Sequence, residues 1–210
     1  MNRIRQFFFT GLAVCFFVCG VQFAAVAAAG PESSVIMLQK GIDTKDLAMV
    51  ETYLDVDGVV AKAVETVIND EDVLRAIEKK SFPIAAILAM GNADQTAPML
   101  RDFLASEVKE YIRHGVVSGA FAGKPEEGVS IYQGVFRKAF RGGEKNKIVF
   151  RNPVVKKSDK TGTVSCFMAS GKKGREYPLE LLAVPEGKGW RIVELRNAAG
   201  LVKQAMEKSK

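Results

Sequence analysis

The chain has 210 residues, 48% of them apolar and 26% charged, with a formal net charge of +6, one histidine and three cysteines. That length bounds the molecule to a single domain with a well-filled core. One histidine and so few cysteines argue against a transition-metal site and against a Ser-His-Asp or Cys-His nucleophilic device.

Residues 1–29 carry the clearest instruction. Arg3 and Arg5 give a basic start, an uncharged apolar run follows, and Ala25-Val26-Ala27 and Ala27-Ala28-Ala29 place small residues ahead of Gly30-Pro31. That order of basic start, apolar middle and small-residue end predicts a secretory signal peptide, with the mature chain beginning at Ala28 or Gly30. The competing reading is a retained membrane anchor, since the run is long enough to span a bilayer. Export to the periplasm or cell envelope follows from the first reading, and a membrane enters only through this segment if it stays attached. Removal takes Cys15 and Cys19 with it and lowers the net charge from +6 to +4, because Arg3 and Arg5 leave with no acid. Cys166 then stands alone, so no intrachain disulfide can form. In Thr163-Val164-Ser165-Cys166-Phe167-Met168 the alternation puts Cys166 on one face with Val164 and Met168, which predicts a buried, inert thiol.

Residues 30–210 read as one α+β domain. Asp43 or Thr44 is placed to cap a helix carrying Leu47, Val50 and Leu54. Asp55-Val56-Asp57-Gly58 breaks it, and Asp57 is placed to cap a second helix with Val59, Val60, Ala63, Val64, Val67 and Ile68, ended by Asn69-Asp70. Val73, Leu74 and Ile77 predict a short third helix, and residues 84–90 continue the helical layer after Pro83. Asp94 opens the longest helix, with Pro98 tolerated in its first turn, a stripe of Met99, Leu100, Phe103, Leu104, Val108, Tyr111 and Ile112, and His114-Gly115 as its stop. Residues 128–140 also read as helix.

From residue 147 the pattern changes to short β-rich runs between turns. Residues 147–152, 163–169, 175–184 and 190–197 predict four strands in an antiparallel meander, with a closing helix over 198–208. Helices before strands define the α+β class, with the helices packed on a curved four-stranded sheet. The strands carry apolar residues on both faces: Tyr177, Leu179, Leu181 and Ala183 oppose Leu182 and Val184, and Trp190 and Ile192 oppose Val193 and Leu195. Helices on both faces, a subunit contact or an apolar cavity would each account for that pattern, the first most simply. Charge divides along the chain: residues 31–110 hold eight Lys or Arg against fifteen Asp or Glu, and residues 129–190 hold thirteen against five. The simplest account is two solvated faces that attract each other within one fold.

The helical stretch from Asp46 through the aspartate-rich break to Val60, the Tyr177-Pro178-Leu179-Glu180-Leu181-Leu182 strand and the Gly189-Trp190-Arg191-Ile192-Val193 strand resemble the nuclear-transport-factor-2-like (cystatin-like) superfamily. Exported members often carry such a Gly-Trp strand. More loosely, the chain is similar to the periplasmic phospholipid-carrier family of the toluene-tolerance type. The resemblance implies helices packed into the concave side of a bent sheet, and it transfers no catalytic or lipid-contacting residue. Isomerase- or dehydratase-type members hold a carboxylate inside the cone, a role for which Tyr53, Asp55, Asp57 and Tyr132 are available here.

No catalytic, metal or cofactor site is assigned. His114 sits where a helix C-terminus favours it, and Asp55-Val56-Asp57-Gly58 lacks the later acidic ligands of a calcium loop. Gly142-Gly143 and the glycines at 171 and 174 lack the strand, glycine, helix order of a phosphate loop. Lys156-Lys157, Lys172-Lys173 and Arg175 lie at turns without interleaved aromatics, which argues against nucleic acid. The first reading is a non-catalytic exported module that binds an apolar or amphiphilic ligand, or a protein, at the open end of the cone or the outer sheet face. For an amphiphile, Arg137, Lys138 and Arg141 are the candidate ligand-binding cations at the rim. The alternatives are an acid/base enzyme of isomerase or hydrolase type and a structural envelope homodimer.

Overall fold

A computed structural model of the chain describes residues 30–79, 81–90, 93–126, 134, 147–157, 160–170, 175–187 and 189–207. The first element is one that the sequence pattern did not announce. Helix α1 spans Glu32–Asp43 and buries Val35, Leu38 and Ile42, a single narrow stripe at three- and four-residue spacing. Its C-terminus closes with backbone N–H groups of Lys45 and Asp46 donating to Ile42 and Gly41, with Lys45 at φ +60°, the left-handed turn that satisfies the last carbonyls of a helix. That turn uses up Asp43 and Thr44. Asp46, and not those two, therefore caps helix α2 (Leu47–Tyr53), its carboxylate accepting from Met49 N at 2.9 Å. Gly41 lets the two helices meet, since a Cβ there would lie 2.9 Å from Val50 Cγ2.

The aspartate-rich break is held by the sheet. Leu54 bridges Ile192, and Asp55 N donates to Ile192 O at 2.8 Å, which holds Asp55 at φ −73° and ψ 81°, outside the helical region as a cap must be. Asp55 thus caps helix α3 (Val56–Ile68) through Gly58 N at 3.1 Å; Asp57, expected in that role, lies in the first turn. Asp70 caps α4 (Glu71–Glu78), α5 covers Phe82–Leu88 with Pro83 in its first turn, and α6 runs over Ala93–Val117. Gly115 is no stop signal for α6. It is buried inside the last turn because the Phe121 ring sits on it, where an added Cβ would meet ring carbons. Met99, expected in the α6 stripe, is 46% exposed.

Four strands follow, β1 (Ile148–Lys157), β2 (Gly162–Ser170), β3 (Arg175–Glu186) and β4 (Gly189–Leu195), in the antiparallel order β1-β2-β3-β4, and helix α7 (Ala198–Glu207) closes the domain. Two irregularities bend the strands. Asn152, at φ +52°, and Pro153 interrupt the register of β1, and Val193 is the extra residue in β4. The second one corrects the expected faces: past Val193 the alternation resets, so Leu195 pairs with Leu181 and joins Ile192 on the inner side.

The core lies on that inner side in two clusters. In the first, Val35, Leu38, Ile42, Val50, Val116 and Phe121 close on Val164, Cys166, Leu179, Leu181 and Ile192. In the second, Val56, Val60 and Val64 of α3 meet Ile84 of α5 and Leu100 and Leu104 of α6. All seven described helices contribute to one or the other, α4 through Leu74 and Ile77 and α7 through Leu201. Helices on both faces are the simplest account the sequence offers of the doubly apolar strands; among the described residues, the helices contribute their core residues to the inner side. The expected helix over residues 128–140 lies outside the described residues.

Candidate binding surface

The two aspartates considered for chemistry each have a structural partner. Asp55 is the α3 cap and stands 3.9 Å from the Arg191 guanidinium. Asp57 bonds Lys109 at 2.8 Å, and that hydrogen bond and charge hold its carboxyl below the ordinary aspartate range. A general acid or base working near neutral pH needs the opposite shift. Tyr53 ends α2, half-buried, and Tyr132 lies outside the described residues. His114 is in the last turn of α6, as its sequence position suggested. Among the described residues no group of three or more His, Cys, Asp or Glu is placed to hold a metal ion, and no helix is long and apolar enough to cross a membrane.

Cys166 is 3% exposed, and burial pushes its thiol up to about 11. Its neighbours on the inner face are Val164 and Leu179, in line with the alternation in β2. The inner face as a whole is taken up by α1 and by Phe121, whose ring meets Tyr111 edge-on with centroids 5.3 Å apart. Arg137, Lys138 and Arg141, proposed for the rim of a cone, all lie outside the described residues.

The chain's entry to the domain is fixed at one end of this sheet. Pro31 is fully buried against Gly162, and Ser34 Oγ donates to Trp190 O at 2.6 Å. At the other end the Gln39 side chain covers the free edge of β1, its amide donating to Ile148 O and its oxygen accepting from Phe150 N. A side-chain amide here makes the two bonds that a further strand would make. The outer edge of β4 is closed by Leu54 and Asp55. Each edge is thus held at one place, β1 at Ile148 and Phe150 and β4 at Ile192.

The outer face of the sheet is the candidate surface. Register places Arg151, Val154 and Lys156 on it from β1, Thr163, Ser165 and Phe167 from β2, Pro178, Glu180, Leu182 and Val184 from β3, and Arg191 and Glu194 from β4, and Arg196 crosses it to donate to the Thr163 hydroxyl at 3.1 Å. Val154 is 62% exposed and Phe167 41%; Leu182 and Val184 are half-buried. Charges alternate with them: Arg151 pairs with Glu176 at 3.1 Å, and Glu194 holds Lys62 at 3.5 Å and Arg196 at 3.9 Å. Sequence reasoning saw the apolar surplus of β3 and β4 but missed Val154 and Phe167. The signal for Phe167 was present, since it alternates with the buried Cys166. Val154 gave none, because the Asn152-Pro153 bulge sets its face.

No family model, no curated protein and no solved structure matches this chain.

Proposed function

We propose that the chain is an exported, non-catalytic binding module, related to the nuclear-transport-factor-2-like superfamily by its helices-before-meander order, whose working surface is the outer face of the sheet and whose ligand there is a protein. The observation that carries this reading is the exposure of Val154 and Phe167 on a face to which no described helix contributes its core residues. A small apolar ligand favours a concave, enclosed site, and the inner side where a cone would open is occupied by α1. A broad face that intersperses apolar residues with Lys156, Glu180 and Glu194 is the composition of a protein interface of ordinary polarity. Export rests on the leader grammar of residues 1–29.

The test is the double variant Val154→Glu/Phe167→Glu expressed in the native cell and released gently from the envelope. Its complex should fall to the size of the free chain on a native gel while its melting temperature stays within a few degrees of the parent. Unchanged complex size removes the outer face from the function. Native mass spectrometry that finds stoichiometric phospholipid or fatty acid on the parent would return the amphiphile reading. Cell fractionation followed by N-terminal sequencing checks export, with Ala28 or Gly30 expected first.

A further inference from the structure

Resting on the export reading, and going beyond it to the processing step, we infer that cleavage of the leader and docking of α1 exclude each other: the peptidase cuts only while the first turn of α1 is off the sheet, and a chain that folds first keeps its leader.

Docking of α1 takes residues 30–34 into the fold. The Pro31 ring is fully buried against Gly162, and its backbone is already helical at φ −55° and ψ −28°. The Gly30 carbonyl accepts from Ser33 N at 3.0 Å and from Ser33 Oγ at 2.7 Å, and Ser34 N donates to Pro31 O at 3.2 Å. The buried Ser34 hydroxyl then ties this turn to the sheet by donating to Trp190 O at 2.6 Å. Both expected cuts, after Ala27 and after Ala29, fall immediately ahead of these residues in the sequence. Whatever path the chain takes there, an extended residue spans about 3.6 Å, so Ala27 lies no more than about 14 Å along the chain from Pro31.

The chemistry of the cut makes that closeness a conflict. Hydrolysis adds water across the peptide bond, breaks its C–N link, and leaves a carboxylate on the leader and an ammonium on the domain. A peptidase holds several residues on each side of that bond extended in its cleft, which is why folded proteins are nicked in exposed, loosely held segments. On the domain side of the Ala29–Gly30 bond those residues are the first turn of α1 itself, and beyond the Ala27–Ala28 bond only Ala28 and Ala29 precede it. Extending them pulls Pro31 away from Gly162 and Ser34 away from Trp190. Cutting of the folded chain therefore follows the population in which this turn is open. Opening gives up one buried ring and one buried hydroxyl bond together, which sets that population at about one chain in a hundred. Release from the membrane thus becomes a race between the peptidase and the docking of α1.

The full-length chain in detergent, with signal peptidase prepared from the same cell, tests this. Chain diluted from urea directly into peptidase should be cut at once, whereas chain folded beforehand should be cut about a hundredfold more slowly. Inserting about eight Gly and Ser residues between Ala29 and Gly30 keeps both small-residue sites and moves them away from α1. The folded spacer variant should be cut within about threefold of the rate for freshly diluted chain. Equal rates for folded and freshly diluted parent overturn the inference and leave export standing. A folded spacer variant as slow as the folded parent does the same, because the block would then not come from the nearness of α1. No cut in any of these chains overturns the inference together with the reading of residues 1–29 as a cleaved leader.

Discussion

Replacing Trp190 by alanine removes a side chain that ties the start of α1 to the end of the sheet, and the cost follows from its surroundings. Trp190 is 9% exposed, lies beside Gly162 where Pro31 is buried, and its carbonyl accepts the Ser34 hydroxyl at 2.6 Å. The indole withdraws about 200 Å² from water, which at about 25 cal/mol per Å² corresponds to about 5 kcal/mol as an upper estimate. The backbone carbonyl survives the substitution, so the buried Ser34 hydroxyl keeps its partner. Pro31 has no flexible side chain with which to fill the gap. A loss of about 3–5 kcal/mol is expected, the range of buried aromatic truncations, out of a total stability of about 5–15 kcal/mol for a domain of this size. Equilibrium unfolding in urea followed by circular dichroism gives the value, with an unchanged denaturant slope showing that the native fold persists. A loss below about 1 kcal/mol refutes the reasoning, because α1 would then be held without the indole.

Gly162→Ala probes the same contact from the opposite side: the added Cβ would lie 2.2 Å from Pro31 Cγ, so the variant should lose about 1–3 kcal/mol through overpacking in the same urea titration, and no loss would show that Pro31 is free to move. Cys166 gives a pH signature. With its thiol raised from 9.0 to about 11 by burial, the native state holds a proton that the unfolded chain releases. The stability is therefore complete below pH 9 and declines as pH rises from 9 to 11, by about 1.4 kcal/mol for each pH unit crossed. Urea titrations at pH 8 and pH 11 should show a smaller decline in Cys166→Ala than in the parent, and a thiol reagent at pH 8 should label only unfolded protein.

What the sequence made legible were the elements set by periodic apolar runs and strong turn signals. The four strands, their meander order, the short α4 and the long α6 were all readable, because each carries several apolar residues at the spacing its geometry demands. Helix α1 was not. Its stripe is only Val35, Leu38 and Ile42, Gly41 interrupts it, and Pro31 precedes it in place of a side-chain cap; what holds it helical is the first cluster, a tertiary cause no local pattern displays. The misplaced caps have the same origin. Asp55 and Asp57 are equivalent acids in the sequence, and the choice between them is made by Ile192 of β4, 137 residues after Asp55, which holds the Asp55 backbone outside the helical region. Bulges are a third blind spot. One extra residue at Val193 moves Leu195 to the inner face, and the Asn152-Pro153 interruption places Val154 on the outer one.

The missed helix bears directly on function. Without α1, the apolar residues of Val164, Cys166, Leu179 and Leu181 would border an interior open to an amphiphile, and the two apolar strand faces would be equal candidates for a ligand. With α1 in place the faces cease to be equivalent: the inner one is satisfied by Val35, Leu38 and Ile42, while the outer keeps Val154 and Phe167 in solvent. Of the two faces of the sheet, the outer one is where large exposed apolar residues remain among the described residues. Gln39 holds the β1 edge at Ile148 and Phe150, and the Leu54-Asp55 bridge holds the β4 edge at Ile192, so the proposal that a protein covers the outer face is a proposal of a layer stacked on the sheet, which the Val154→Glu/Phe167→Glu variant tests.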